Sequence, residues 1–182
     1  MHHIYHTHGF ILSSRNSGEA NKVFAIYTRE MGLVRATSQG VRLAKSKLRF
    51  ALQDFSYAKI DFVRGKEIWR VTSATNITSF PYARSDRQSL LLIARIGKLI
   101  ERLCDGEEES GKIFDEFIQA LYLLDDSAIA STTREALELH LVLRIMNSLG
   151  YIGDSEILYQ YLSTPFNQIE IETLLKKRQS II

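Results

Sequence analysis

The chain has 182 residues, 45% of them hydrophobic and 24% charged, which suits one or two small domains built on an ordinary core. Its single cysteine, Cys104, excludes an internal disulfide and a four-cysteine zinc site. No window approaches the roughly 18 consecutive apolar residues of a spanning helix, so neither secretion nor membrane insertion is expected, and a reducing cytoplasm fits.

The formal charge of +2 conceals a division. Residues 1 to 80 hold twelve Lys/Arg against five Asp/Glu, a net of +7, while residues 81 to 182 hold eleven against sixteen, a net of −5. A basic half attracts polyanions over about a Debye length, near 8 Å at physiological salt, and an acidic half repels them. Phosphate contacts are therefore expected in the first half.

Ile4 to Arg15, IYHTHGFILSSR, is rich in β-branched and aromatic residues and reads as a first strand, with Asn16, Ser17 and Gly18 supplying a turn. Asn21 to Arg29 alternates Val23, Ala25 and Tyr27 against Phe24, Ile26 and Thr28, a strand with two usable faces. Glu30, Met31 and Gly32 connect it to a third strand, Leu33 to Ser38. The basic segment from Gln39 to Arg49 has no clear period, which suits a mobile loop with one turn of helix. Phe55 to Val63 and Glu67 to Thr75 read as two further strands about a turn at Arg64, Gly65 and Lys66. Five short strands in about eighty residues are the pattern of a small, partly open barrel such as the OB-fold.

At Asn76 to Ser85 the pattern changes, with Pro81 inside it, and every later apolar run has a helical period. The expected organisation is α+β: an N-terminal OB-fold β-barrel at residues 1–80, followed by an all-helical C-terminal domain at 81–182. Helices are predicted at Asp86–Cys104, with Leu90, Leu91, Ile93, Ala94, Ile96, Gly97 and Ile100 inward, and at Glu107–Leu124. A third runs from about Thr132 to Leu149, with Ser131 or Thr132 as N-cap and Glu135 completing a capping box. Shorter helices are predicted at Ser155–Leu162 and Asn167–Arg178.

Within the basic half, Gly32 to Arg49 places Arg35, Arg42, Lys45, Lys47 and Arg49 among small and flexible residues without one acid, as a phosphate-binding surface requires. A charge run by itself equally describes a solvated loop; neighbouring strands move the balance toward binding. Arg15, Lys22, Arg64 and Lys66 read as phosphate contacts or as solvated cations alike. Among the barrel's aromatic residues, Tyr57, on the strand face that also carries Lys59, is the candidate for stacking on bases.

Signals of catalysis are missing: no Gly-rich phosphate loop, G-x-S-x-G turn or H-E-x-x-H helix occurs, so no enzyme and no cofactor is expected. The pair Asp125 and Asp126 and the run Glu107 to Glu109 fall at helix ends, where helix dipoles or solvent account for them. His2, His3, His6 and His8 form the single metal-like cluster, and with no carboxylate or cysteine beside them in the sequence no metal is expected. Cys104 reads as a buried structural thiol.

The run GFILSSRNSGEANKVFAIYTREMGLVRATSQGVRLAKSKLR, Gly9 to Arg49, resembles the N-terminal signature of the RecO recombination mediator proteins, with Gly9, Gly18, Glu19, Thr28, Gly32, Gly40, Arg42, Ser46 and Lys47 in matching places. LELHLVLRIMNSLGYIG, Leu137 to Gly153, is similar to that family's helix ending in a Leu-Gly-Tyr stop. The chain is shorter than usual for the family and lacks the four zinc-holding cysteines of many members, so the zinc-bearing part is expected to be absent.

The resemblance implies an OB-fold followed by helices. It implies binding of single- and double-stranded DNA, annealing of complementary strands, contact with the acidic tail of single-stranded-DNA-binding protein, and action with a RecR-like partner to load recombinase in the cytoplasm, at the nucleoid. Family DNA contacts near the third strand and the following loop map to Arg35, Gln39, Arg42, Lys45 and Lys47, with Gln39 where a basic residue often stands. Two other readings stay open. One is an adaptor whose helical half docks an acidic peptide on Arg95, Lys98 and Arg102, spaced three and four apart on one helix face. The other is an OB-fold RNA-binding protein.

Overall fold

Residues 3–66, 68–104 and 111–153 are described by the computed structural model of the chain. The helices expected at Ser155–Leu162 and Asn167–Arg178, the acidic run Glu107 to Glu109, and Glu67 lie outside those residues.

Five strands form where alternation predicts them: β1 Ile4–Ser17, β2 Asn21–Thr28, β3 Gly32–Ser38, β4 Tyr57–Arg64 and β5 Trp69–Thr78. β1 pairs antiparallel with β2 along its second half and with β4 along its first, and a bulge between Ile11 and Ser13 lets one strand serve both sides. Gly9 sits where the two halves meet, and a Cβ there would lie 2.7 Å from Ile26 Cγ2, so only glycine fits the interior. β3 and β5 pair in parallel through Ala36 with Trp69 and Thr37 with Arg70, closing the barrel in the order β1-β2-β3-β5-β4. Closure by two residue pairs removes the open edge that the sequence pattern had left.

Inward-facing Ile11, Phe24, Ile26, Val34, Ile60, Phe62, Trp69 and Val71 fill the barrel, each large side chain contributing about 1.5 to 3 kcal/mol by leaving water.

Helices follow. α1 (Leu48–Ala51) is a single turn, and α2 (Pro81–Ser85), α3 (Arg87–Leu103), α4 (Gly111–Leu124) and α5 (Ser131–Ser148) form the layer against the barrel. Asp86 caps α3 by accepting from the Ser89 N–H at 2.8 Å. Asp125, at the end of α4, accepts from the N–H groups of Tyr82 and Ala83 at 2.8 and 3.0 Å and so caps α2.

Two expectations need correction here. α3 buries Ser89, Leu92, Ile93, Ile96, Gly97 and Ile100, which turns Leu91 outward at 47% exposure. α5 begins one residue early, with extended Ala130 at its N-cap and no side-chain cap, so the Ser131/Thr132–Glu135 box does not form.

The outer face of β1, β2 and β3 is split. Its lower part, Phe10, Leu12, Ala25, Tyr27 and Leu33, joins the helices in one core with Phe80, Ile93, Ile96, Phe114, Phe117 and Leu121. Phe10 and Phe117 meet edge to face with centroids 5.1 Å apart. Arg29, just past β2, forms a two-pronged ion pair with Asp115 of α4 at 2.8 and 2.9 Å. Barrel and helices are thereby one packed body. Cys104, at the end of α3, is half-buried against this core rather than fully enclosed.

His140 of α5 is 1% exposed, and burial, reinforced by the Arg144 charge, pushes its pKa down to about 4. The unfolded chain takes up this proton near pH 6.5 and the native protein does not, so stability is full above pH 6.5 and is lost as pH falls toward 4. Thermal melts across that window are expected to show a loss of about 3 kcal/mol that His140→Gln removes. An identical pH profile in His140→Gln would assign the loss to other groups.

Candidate nucleic-acid interface

Strand register assembles the site. Arg15 pairs with Val23, Val23 with Thr37, and Thr37 with Arg70, so these four residues form one lateral row across β1, β2, β3 and β5. Trp69 and Val71 point into the barrel, which turns Arg70 outward, and Val34 and Ala36 do the same for Arg35, two residues along from Thr37. Three interstrand steps of about 4.8 Å along the curved sheet lead from Arg15 to Arg70. Arg15, Arg35 and Arg70 are all exposed on the part of the sheet exterior that none of the described helices covers.

The basic segment leaves this face directly from Ser38. It is tied down rather than mobile. Gly40 adopts φ +65°, a left-handed turn that glycine tolerates, and its N–H donates to Asn21 Oδ1 at 2.9 Å. The Arg42 N–H donates to the Ala20 carbonyl at 3.0 Å, and Arg42 Nη1 donates to the Gly18 carbonyl at 3.1 Å. Val41, 2% exposed, enters the barrel core between them. The absence of a sequence period reflects successive turns with a single apolar anchor, a pattern that periodicity does not register. Gln39, Arg42, Lys45, Lys47 and Arg49 are exposed along this segment and the start of α1.

The other expected cations divide. Lys66 is exposed in the β4–β5 turn, and Arg64 is exposed with its guanidinium carbon 5.2 Å from the centre of the Trp69 ring, a cation–π contact. Lys22 lies on the inward-facing parity at the barrel's end, half-buried, with Nζ donating to Ser14 Oγ at 3.0 Å. It therefore sits apart from the outward Arg15, Arg35 and Arg70. Glu19, exposed in the β1–β2 turn, is an acid at this rim.

Tyr57 does not offer a stacking face. Its ring is half-buried between barrel and helices, 6.1 Å from Phe114 and 5.9 Å from His8, and desolvation raises its hydroxyl pKa. The most exposed large apolar ring among the described residues is Phe50 on α1, at 68%.

On the helical side, Arg95 forms a two-pronged ion pair with Glu138 of α5 at 2.6 and 2.7 Å, while Lys98 and Arg102 are exposed. A cleft of about 300 Å³ beside Arg95 is lined by Leu91, Arg134, Glu135 and Glu138, a mixed-charge wall.

The barrel also brings Asp61 of β4 opposite His6 of β1, with Nδ1 to Oδ1 at 2.6 Å, a neighbour that the sequence order conceals. Among the described residues no three His, Cys, Asp or Glu side chains are grouped to hold a metal ion, and no helix is long and apolar enough to cross a membrane.

A closed five-stranded barrel in this order, with a short helix between its third and fourth strands, is an OB-fold, whose strand 2–3 face and flanking loops are the usual ligand surface. Comparison with known proteins narrows that class. Residues 1–80 match the family described as Recombination protein O N terminal. The chain is 27% identical over 150 residues to the DNA repair protein RecO of Desulfitobacterium hafniense, covering 81% of this chain and 52% of that protein. It is 29% identical over 140 residues to that of Dehalococcoides mccartyi, 77% and 55% covered, and 30% identical over 122 residues to that of Clostridium perfringens, 67% and 50% covered. Residues 1–80 thus carry the N-terminal domain of the RecO family, and the chain spans about half the length of these relatives.

Proposed function

We propose that this protein is a non-catalytic DNA-binding mediator of DNA repair. It holds single- and double-stranded DNA on the barrel face that the described helices leave open, anneals complementary strands, and helps load recombinase onto DNA coated with single-stranded-DNA-binding protein. The observation that carries this reading is the set of outward cations made by Arg15 and Arg70 in one lateral row and Arg35 two residues along β3, next to a pinned loop presenting Arg42, Lys45 and Lys47. The names of its relatives as DNA repair proteins support the same reading.

Annealing asks that two phosphate backbones approach with their repulsion screened, and no bond is made or broken, so cations on a rigid surface suffice. The partners that go with this reading are the acidic tail of single-stranded-DNA-binding protein and a RecR-like protein, at the nucleoid. Arg95, Lys98 and Arg102 of α3 are the surface proposed for the tail, whose carboxylates would compete with Glu138 for Arg95.

Fluorescence anisotropy with a labelled single strand at low salt, together with a fluorescence-transfer assay of complementary-strand annealing, tests the reading. Binding and accelerated annealing are expected, with DNA outcompeting RNA of the same sequence. A protein that binds no strand at low salt ends the proposal, and RNA displacing DNA turns it toward an RNA-binding barrel.

A further inference from the structure

We propose that Phe50 is a stacking subsite for an unstacked base of single-stranded DNA, set between two phosphate-binding cations. The proposal rests on the DNA reading above and names the form of ligand that this part of the barrel takes.

Phe50 is the most exposed large apolar side chain among the described residues, at 68%. Loose packing does not account for this. Ala51 and Leu52 are buried, Leu48 packs against the barrel core, and the Leu52 N–H donates to the Leu48 carbonyl at 2.9 Å. Beyond the turn, Ser56 Oγ donates to the Gln53 carbonyl at 2.6 Å and lies 3.1 Å from the Ala51 carbonyl, which holds the exit from α1. At about 100° per residue, Leu48, Ala51 and Leu52 share one side of the turn and Phe50 projects from the opposite side. Arg49 lies about 100° to one side of it and Lys47 about 60° to the other. The fold thus presents an exposed ring, on a turn whose backbone is held, flanked by positive charge.

That arrangement selects among ligands. Bases inside a duplex are stacked on one another and offer only their edges, whereas an unpaired base offers a π-face to any exposed aromatic ring. Cations on both sides of the ring meet the phosphates on both sides of such a base. The acid-free run from Gly32 to Arg49 makes a polyanion the occupant of this surface.

The test is an anisotropy titration of the full chain with single-stranded and duplex DNA of one sequence, comparing wild type with Phe50→Ala, Phe50→Leu and Phe50→Tyr. Phe50→Ala and Phe50→Leu are expected to weaken single-strand binding about 5- to 150-fold, with the salt slope unchanged because no charge is removed. Duplex affinity stays at the wild-type level, and Phe50→Tyr binds as wild type does. Thermal melts should coincide for all four proteins, since the ring lies outside both cores. Single-strand binding by Phe50→Ala at wild-type strength would overturn the subsite while leaving the DNA reading intact. Equal losses on both DNA forms, or full affinity in Phe50→Leu, would also overturn it. Failure of the wild type to bind either form would remove the DNA reading and the subsite together.

Discussion

Replacing Arg35, Arg42, Lys45 and Lys47 together with alanine is expected to flatten the dependence of log affinity on log salt by about 2.8 for single strands, four phosphates at about 0.7 each. For duplex DNA the corresponding change is about 3.6, because each contact releases more condensed counterion. Over a fourfold rise in salt these four contacts account for about a 50-fold loss of single-strand affinity. Arg42 belongs in the set although one of its nitrogens holds the Gly18 carbonyl, since a guanidinium carries five N–H donors and the others face solvent.

The variant should remain folded. All four side chains are exposed, and the backbone bond from Arg42 to Ala20 and the buried Val41 keep the loop in place. Arg95→Ala/Lys98→Ala/Arg102→Ala, which removes three cations from α3, is the control and should leave the slope unchanged. A wild-type slope in the quadruple variant would refute the assignment of DNA to the loop. Adding Arg15→Ala and Arg70→Ala should flatten the slope further, by about 0.7 per residue.

The second large effect lies in the helical layer. Arg144 of α5 and Glu116 of α4 form an ion pair whose side chains are 8% and 13% exposed. Glu116→Ala removes a carboxylate partner from a nearly buried guanidinium, and breaking such a pair costs about 3 to 5 kcal/mol. Against a typical total of about 5 to 15 kcal/mol, that is a large share of the fold's stability. Glu116→Leu/Arg144→Met removes both charges while keeping volume, and should recover most of the loss.

Urea unfolding followed by far-ultraviolet circular dichroism reads both variants. One cooperative transition is expected in each, because Phe10, Leu12 and Tyr27 of the barrel share their core with Phe114 and Phe117 of α4. A Glu116→Ala midpoint equal to that of wild type would show that the pair contributes little. Two separated transitions would show that barrel and helices unfold independently.

Period and charge are local properties, and most of both is legible in the sequence, Leu91 of α3 excepted. Val23, Ala25 and Tyr27 alternate with Phe24, Ile26 and Thr28 because neighbouring side chains of a strand point to opposite faces, and two residues suffice to set that pattern. The face of α4 from Ile113 to Leu124 follows from the helical repeat in the same way. The basic run from Arg35 to Arg49 and its family signature needed nothing beyond chain order. Capping was less legible: a serine or threonine near a helix start competes with its neighbours for the cap position, and α5 began at Ser131 with Ala130 before it.

Other features depend on residues far apart in the chain. Arg70 became part of the site through the parallel pairing of β5 with β3, which sets it beside Thr37, 33 positions earlier. Tyr57 and Arg35 both point outward from the barrel, yet helices cover one and leave the other to solvent, and only the packing of α4 decides which. Asp61 meets His6 for a similar reason, across the pairing of the first and fourth strands. What the chain determined by itself was which residues could face outward and where positive charge accumulates. Which outward faces stay open was decided by tertiary structure, because the burial of an outer strand face depends on surfaces contributed by segments that local periodicity does not connect.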